Sequence, residues 1–339
     1  MPRAWRRVAG LGVLAVVLAS CATDEGEPDA GAPGSPTSQS TISPTGGSPS
    51  GASPSPSPPP GTPSPTETAQ AEFDPQRAHD TVEQLAGEIG PREATSSSFA
   101  RAADLVEQRF DDLGYTVTRP SFPVPAGDSW GVPVDSGRSV NVIADPEGFE
   151  PTEPHRVVGA HLDSVAEAPG AEDNASGVAV TLELARIAAS QQPAVPTRFV
   201  AFGAEEPRGE GDDMHHFGSQ FYVEGMGADE RAAMIGMLSL DRVGVPGNAV
   251  PLAYGGQGDS DLRDRIEAVA DRAGIATAPE ENTSSDHWSF EKADLPAARL
   301  GSIPFAGYHS PDDTPDVVDA GQLDRVGTIA WQWLQTQPP

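Results

Sequence analysis

The sequence is poor in cysteine and in basic residues. Its single cysteine, Cys21, cannot form an intrachain disulfide. Lysine and arginine number 21 against 50 acidic residues, which gives a formal net charge of −29. So acidic a surface repels phosphate backbones and argues against nucleic acid as a partner. The charge is otherwise typical of a well-solvated, soluble surface.

The N-terminus also lacks an apolar run long enough for a membrane-spanning helix. The run Val8–Ala19 is too short to cross a hydrocarbon layer of roughly 30 Å. It follows the basic segment Met1–Arg7 and leads into Leu18-Ala19-Ser20-Cys21, a tetrad similar to the lipobox of bacterial lipoproteins. The alternative is an ordinary secretory signal with Cys21 in a flexible tail. We predict a lipoprotein signal peptide over residues 1–20 and an extracytoplasmic protein anchored to the cell membrane by lipid at Cys21.

Large apolar side chains are almost absent from residues 21–72, where Pro, Ser, Gly and Thr dominate. Such a segment cannot bury enough surface to offset the entropy that ordering would cost. We therefore predict a disordered tether over residues 21–72 and one folded domain over residues 73–339, which is long enough for a sizeable core.

From residue 73 onward, short strand-like runs alternate with helical patterns. Two helices are marked by their ends, the first by Asp74-Pro75 and Gly90-Pro91 and the second by Ser96 and Gly114. The later helices are predicted over 176–189, 217–224, 260–273 and 322–334, and the strands over 115–118, 139–143, 156–160, 197–203, 235–240, 250–254 and 297–300. This alternation predicts a three-layer α/β/α sandwich with a mixed, mostly parallel central sheet, in a single catalytic domain.

Histidines and carboxylates follow several of the predicted strands. His161, the pair Glu205-Glu206 and Asp241 stand at strand ends, and ligand sites of open α/β sheets collect there. A catalytic zinc site needs about three protein ligands and an open position, and a carboxylate can bridge two ions. Each feature alone is weakly specific, since a histidine before a turn is more often structural. Together they indicate two metal sites that share one aspartate.

Five strings, in this order, resemble the bacterial leucyl aminopeptidase and aminopeptidase Y group of co-catalytic di-zinc exopeptidases. The resemblance extends from about Phe73 to Trp333. The strings are Gly159–Ser164, Asp173–Gly177, Phe199–Glu206, Leu240-Asp241 and Tyr308–Thr314.

The resemblance implies a site with two zinc ions per chain. In it, His161 and Asp241 would bind one zinc, Glu206 and His309 would bind the other, and Asp173 would bridge them. The implied activity is that of an aminopeptidase, which hydrolyses the first peptide bond of peptides with a free N-terminus.

Three further roles follow from the same resemblance. Glu205 would be the general base toward a metal-activated water. Asp163 would orient His161 by accepting its other ring N–H. Tyr308 would stabilise the oxyanion through its hydroxyl, or would simply pack the loop.

The sequence departs from the group's pattern in the segment Pro207–His216, which replaces a shorter turn. We predict an exposed loop there, although His215 and His216 could instead cap the pocket or bind a metal. Ser285-Asp286-His287 is assigned to the architecture of the site and not to a zinc. No inserted domain or dimerisation lid is expected, and we predict a monomer.

Two alternative functions use the same fold. A glutaminyl cyclase would hold one zinc and is expected to lose the string Asp173–Gly177, which is intact here. A non-catalytic binding ectodomain would lose metal ligands, whereas this sequence retains all five together with Glu205.

Overall fold

The computed structural model of the protein describes residues 71–338, all of which belong to one compact unit. The predicted signal peptide, the lipidation site Cys21 and the predicted linker up to residue 70 lie outside the described residues. Ala71 and Glu72, the last two residues of that predicted linker, are tied down because their carbonyl groups accept hydrogen bonds from Gln191 and Arg186. Among residues 71–338, no helix is both long and apolar enough to cross a membrane.

Twelve strands are present in the described residues, and eight of them form the central sheet in the order β1-β6-β8-β7-β9-β12-β10-β11. Four of the seven pairings in this sheet are parallel, and the others are antiparallel. Pairs β2/β5 and β3/β4 form two small separate sheets. The strands are β1 (Thr116–Thr118), β2 (Ser121–Val124), β3 (Gly127–Ser129), β4 (Val132–Val134), β5 (Gly137–Val140), β6 (Val142–Asp145), β7 (His155–His161), β8 (Thr197–Phe202), β9 (Met234–Leu240), β10 (Val250–Tyr254), β11 (Thr277–Glu281) and β12 (Ala297–Leu300).

Helices cover both faces of this sheet. Asp74 caps the first helix by accepting the backbone N–H groups of Gln76 and Arg77, and Ser96 caps the second by accepting that of Phe99. The α-helices are α1 (Pro75–Val82), α2 (Ser97–Asp112), α3 (Ser176–Ser190), α4 (Phe217–Gly225), α5 (Ala228–Ala233), α6 (Asp261–Arg272), α7 (His287–Glu291) and α8 (Ala320–Leu334), and a π-helical segment, Glu83–Ile89, continues α1.

Neighbouring residues of β7 point into two separate cores. Val158 belongs to a large cluster with apolar residues of α1, α2, α3, α6 and α8, whereas Val157 packs in a second cluster with Tyr222 of α4 and Phe290 of α7. Because side chains alternate across a strand, this division places one helical layer on each face. The predicted three-layer α/β/α sandwich with a mixed, mostly parallel sheet is confirmed.

The prediction of one strand over 139–143 was wrong, because the chain breaks at Asn141 into β5 and β6. The Asn141 backbone N–H is bonded to Pro120, and its buried amide links two other elements by accepting the N–H of Gly203 and donating to the carbonyl of Gly218. The short elements β2, β3, β4, β11, α5 and α7 were not predicted.

The parallel strands β8, β7 and β9 end at the same edge of the sheet. Registers place His161 opposite Phe202 and Gly159 opposite Ser239. The polar residues that follow these three strands therefore emerge side by side.

Candidate metal centre and active site

Three strand ends supply the first group of site residues. His161 is the last residue of β7, Asp241 directly follows β9, and Glu205 and Glu206 lie shortly after β8. All four side chains are buried. The adjacent strands thus bring together residues that are up to 80 positions apart, as the carboxyl-edge argument predicted.

Asp173 lies between two histidines. Its Oδ1 is 3.1 Å from Nε2 of His161, and its Oδ2 is 3.0 Å from Nε2 of His309. The carboxylate of Asp313 accepts the backbone N–H groups of Glu172 at 2.7 Å and of Asp173 at 3.1 Å, so the His309 loop also supports the backbone at Asp173. Asp313 was part of a motif in the sequence, but no role was predicted for it.

Asn174 and Gly177 fix the start of α3 against the end of β9. Asn174 accepts the Gly177 N–H at 2.9 Å and donates to the Leu240 carbonyl at 2.9 Å. A Cβ atom on Gly177 would lie 2.2 Å from that same carbonyl oxygen, so only glycine permits this approach. The contact sets the position of Asp173 relative to Asp241.

All five predicted ligands converge, together with Glu205. Nε2 of His161 is 3.7 Å from Asp241 Oδ1 and 3.9 Å from Glu205 Oε2. Nε2 of His309 is 3.5 Å from Glu206 Oε2. One ligand atom each from His161, Asp173 and Glu206 lie within 4.8 Å of one another, and so do atoms from His161, Glu205 and Asp241. These groupings differ from the predicted ligand pairs, so the division of ligands between two ions stays a prediction.

The composition of this cluster fits a divalent metal. Glu206 Oε1 and Asp241 Oδ1 are buried and have no hydrogen-bond partner. Buried anionic oxygens are costly unless a cation or a donor meets them. Imidazole nitrogens and carboxylate oxygens are the ligands that Zn²⁺ commonly takes in enzymes. The residues present therefore suit zinc.

Electrostatics within the cluster follow from the crowding of like charges. Burial raises the pKa of Glu206, and the carboxylates of Asp173 and Glu205 raise it further, well above its usual range. Burial alone would lower the pKa of His161, but Glu205, Asp173 and Asp241 raise it well above its usual value. Burial would raise the pKa of Asp173, yet the two flanking histidines bring it below its usual range. The cluster as a whole thus favours bound cations.

Asp163 does not orient His161 as predicted. Its Oδ1 is 3.8 Å from the His161 Nδ1, too far for a hydrogen bond, and that nitrogen instead lies 3.1 Å from the backbone carbonyl of Asp163. The Asp163 carboxylate accepts the backbone N–H groups of Glu205 at 3.0 Å and Glu206 at 3.1 Å. The side chain therefore holds the glutamate pair, with one carboxylate oxygen on each of the two backbone N–H groups.

The prediction of an exposed loop at Pro207–His216 was wrong at its end. His216 is 4% exposed, and its Nε2 is 3.1 Å from Glu205 Oε1. Backbone hydrogen bonds from His216 to Glu205 and from Phe217 to Ala204 close the segment at its base. The loop therefore returns to the active site and leaves His216 as a partner of the predicted base.

The cluster opens into a cavity of about 420 Å³. Tyr308 stacks on His309 with ring centroids 3.6 Å apart, and Trp130 packs on the same imidazole at 4.4 Å. Trp130 stands at the turn of the β3–β4 hairpin and was missed from the sequence. The Trp-Gly pair between two short alternating runs is the signal that could have located it. Trp130 and Tyr308 are the exposed large hydrophobic residues of the described chain, at 57% and 38%.

Left-handed backbone conformations concentrate around this cavity. Trp130, Ala204, His216, Arg242 and His309 all have φ between 51° and 55°. Non-glycine residues rarely adopt this region, and such strain is typical of functional sites, where the surrounding structure enforces it.

The buried side chain of Arg299 contacts the carboxylate of Asp241. Nη2 of Arg299 is 3.4 Å from Asp241 Oδ2, while its Nη1 donates to the Ser284 carbonyl and the Asn282 side chain. His287 is buried nearby, with Nε2 2.7 Å from the Asn282 carbonyl. The string Ser285-Asp286-His287 thus lies in the wall behind the ligands.

Comparison with known proteins gives a match to the sequence profile of peptidase family M28 over residues 141–334. The chain is 28% identical over 294 residues to the uncharacterized protein YfbL of Escherichia coli, covering 74% of this chain and 85% of that protein. It is 30% identical over 217 residues to leupeptin-inactivating enzyme 1 of Streptomyces exfoliatus, but spans only 45% of its length. It is also 30% identical over 176 residues to the probable lipoprotein aminopeptidase LpqL of Mycobacterium tuberculosis, covering 49% of this chain and 34% of that protein.

Solved structures share the fold at low sequence identity. A zinc aminopeptidase from Bacillus subtilis superposes with a TM-score of 0.68 at 18% identity, covering 77% of this chain and 94% of that chain. A glutaminyl cyclase from Bacteroides thetaiotaomicron superposes with a TM-score of 0.65 at 21% identity, covering 79% and 99%. Since the family profile matches more than half of the sequence, the chain belongs to peptidase family M28.

Proposed function

We propose that the protein is a zinc aminopeptidase that holds two zinc ions and removes residues from the N-terminus of peptides. One observation carries the proposal. Asp173 faces His161 with one carboxylate oxygen and His309 with the other, while Glu205 lies beside the cluster in a buried position. A carboxylate shared in this way suits a bridging ligand, and Glu206 and Asp241 supply one further anionic ligand on each side.

The chain's own residues would position and move the proton. Bound zinc would lower the pKa of a water molecule and polarise the scissile carbonyl. Glu205 would accept a proton on Oε2, because its Oε1 is engaged by His216, and would deliver that proton to the leaving amine. Tyr308, which lines the cavity, would stabilise the oxyanion through its hydroxyl. The anionic metal ligands would also favour a free α-amino group beside the scissile carbonyl. Cleavage would then be restricted to the first peptide bond of the substrate.

The names of several related proteins support this proposal. A structural neighbour is a zinc aminopeptidase, and one relative carries the description of a probable lipoprotein aminopeptidase. The glutaminyl cyclase neighbour makes cyclisation the rival function. We favour hydrolysis because Asp173, which a single-zinc enzyme would not need as a bridge, contacts both histidines.

We further propose that Cys21 is acylated, so that residues 21–72 tether an extracytoplasmic catalytic domain, residues 73–339, to the cell membrane as a monomer. The support lies in the order of basic segment, apolar run and Leu18-Ala19-Ser20-Cys21 in the sequence. Cys21→Ser should release active enzyme into the medium. Retention of the variant in the membrane, or loss of its specific activity, would refute the anchor.

The function is tested by assaying the purified full-length chain against a panel of aminoacyl arylamides, with and without a chelator, alongside its zinc content. We expect hydrolysis that a chelator abolishes and zinc restores, with about two zinc ions per chain. One zinc ion per chain with cyclisation of N-terminal glutamine would establish the rival function. Two zinc ions without hydrolysis of any arylamide or peptide would indicate a binding protein.

A further inference from the structure

A single arginine, Arg242, lines the cavity beside the metal ligands. It directly follows Asp241, and it is the only lysine or arginine among the described residues of the cavity wall. Among residues 71–338, its guanidinium contacts the hydroxyl of Ser302 and the face of the Tyr308 ring, 4.3 Å away, and neither group is an anion. Arg198, by contrast, is also partly buried but pairs with Asp145 and Glu230.

The acidic residue that the 207–216 segment contributes to the cavity wall is already paired with a lysine. Asp212 of the 207–216 segment lines the cavity, but its carboxylate lies 2.8 Å from the ammonium of Lys292 and accepts the Trp288 indole N–H at 2.9 Å. The remaining acidic groups of the cavity belong to the metal cluster and to Glu205. Outside that cluster, the charge on the cavity wall that is free to contact a substrate group is therefore the positive charge of Arg242.

The guanidinium is also held in place before substrate arrives. The backbone of Arg242 has φ of 54°, and its N–H donates to the Asn174 side chain at 3.2 Å. Tyr308, which itself stacks on His309, supports the guanidinium plane from one side. A planar donor group that is already oriented binds a carboxylate with little further loss of freedom.

We propose that Arg242 is a specificity-determining residue, which recognises a carboxylate on the substrate close to the scissile bond. This inference rests on the proposed aminopeptidase function and extends it to a substrate class. A carboxylate at this place has two sources, namely the side chain of an N-terminal glutamate or aspartate and the free C-terminus of a dipeptide. Both present the same planar anion, which accepts paired hydrogen bonds from a guanidinium.

The test uses two matched substrate pairs that differ only in the charge of one group. Glutamyl and glutaminyl arylamides differ in the side chain, and the dipeptide Leu-Gly and its C-terminal amide differ at the terminus. The measured quantity is the ratio of kcat/KM within each pair, for the wild-type chain, Arg242→Met and Arg242→Lys. Arg263→Met is the matched control, since Arg263 also lies over a tyrosine ring, that of Tyr254, but outside the cavity.

We expect Arg242→Met to lower the charged-to-neutral ratio of one pair by about 10- to 100-fold, as loss of a charge-assisted hydrogen bond should. Arg242→Lys should restore part of it, and Arg263→Met should leave it unchanged. A fall in the glutamyl ratio identifies an acidic N-terminal residue, and a fall in the dipeptide ratio identifies the C-terminus.

A merely structural role of Arg242 in supporting Tyr308 predicts a different result. All four substrates would then lose activity together and both ratios would stay constant, which would overturn the inference. The neutral substrates test the proposed function separately, because their hydrolysis by the wild-type chain does not depend on a carboxylate contact. If the wild-type chain hydrolyses none of the four, the proposed function fails and the inference fails with it.

Discussion

Strand β7 carries a histidine at each end, and the two have opposite surroundings. His155, at the amino end, packs against the ring of Phe149 with its Nδ1 2.9 Å from the Glu153 carbonyl. Burial lowers its pKa, and the nearby Arg198 guanidinium adds to that effect. His161, at the carboxyl end, is equally buried but lies among carboxylates that raise its pKa well above the usual value.

The two ends of the strands therefore differ in how their charged groups are paired. At the amino end, arginines contact aromatic faces, carbonyl groups and acids. Arg156, for example, lies 4.7 Å from the Trp333 ring and donates to carbonyls near the C-terminus. At the carboxyl end, acids outnumber donors, and buried carboxylate oxygens are left without partners. Of the two ends of β7, the His161 end is therefore the one where a bound cation would stabilise the folded chain.

The largest effects are expected for two neighbouring glutamates near the His161 end of β7, and the two variants should fail in different ways. Glu205→Gln should keep the zinc content near normal and lower kcat by about 10²–10⁴-fold, because only the basic oxygen is lost. Glu206→Gln should lose zinc first and activity with it, because a neutral ligand replaces an anionic one. Zinc analysis and kcat, measured on both variants, check the contrast. Wild-type turnover in Glu205→Gln would disprove the proposed base.

The two histidines of β7 should differ in how zinc affects stability. Zinc that binds only the folded state raises the melting temperature, with about 2.7 kcal/mol gained at a free concentration 100 times Kd. We expect His161→Gln to abolish most of this zinc-dependent rise. His155→Asn, which keeps a donor for the Glu153 carbonyl, should retain the rise. Thermal melts with and without zinc measure this rise. If it is the same in both variants, the two ends of β7 do not differ in metal binding.

A smaller effect is expected for His216, the partner of Glu205. His216→Leu should lower kcat by about 10-fold, the value of one hydrogen bond to a charged group, while zinc content stays the same. His216→Gln retains a donor and should recover part of kcat. The pH dependence of kcat/KM should also move in His216→Leu, which a change of packing alone would not produce. If His216→Leu has an unchanged pH profile and a normal kcat, His216 contributes only packing and has no effect on Glu205.

The smallest expected effect is a pH dependence of stability at His155. Because the folded-state pKa of His155 is lowered, the unfolded chain binds more protons, and stability should fall as pH drops below about 6.5, the ordinary histidine value. The neighbouring Glu230 and Asp145 carboxylates oppose this shift and limit its size. The melting temperature between pH 5 and 7 should therefore decline less steeply in His155→Asn than in the wild type. A steeper decline in the variant would contradict the assignment.

Sequence reasoning located the strand-borne part of the site better than the loop-borne part. Strand periodicity places His161 and Asp241 at one edge, and that convergence needs no knowledge of loops. The partners of Asp163 and His216 depended instead on how the chain turns after β8, where φ of Ala204 is 54°. No composition pattern encodes such a turn. Arg242 and Trp130 were missed for the same reason, since each acquires its position through a left-handed backbone conformation.

The hydrogen bonds from the backbone at residues 172 and 173 to Asp313 have a consequence for the order of assembly. They join positions 141 and 140 residues apart in the chain, and His309 comes from the same late segment. Proteins are synthesised from the N-terminus at about 5–20 residues per second. A nascent chain thus displays His161 and Asp173 for several seconds before the loop that completes their surroundings exists. The site therefore cannot be complete until residues 309–313 have been synthesised and have docked against residues 172 and 173.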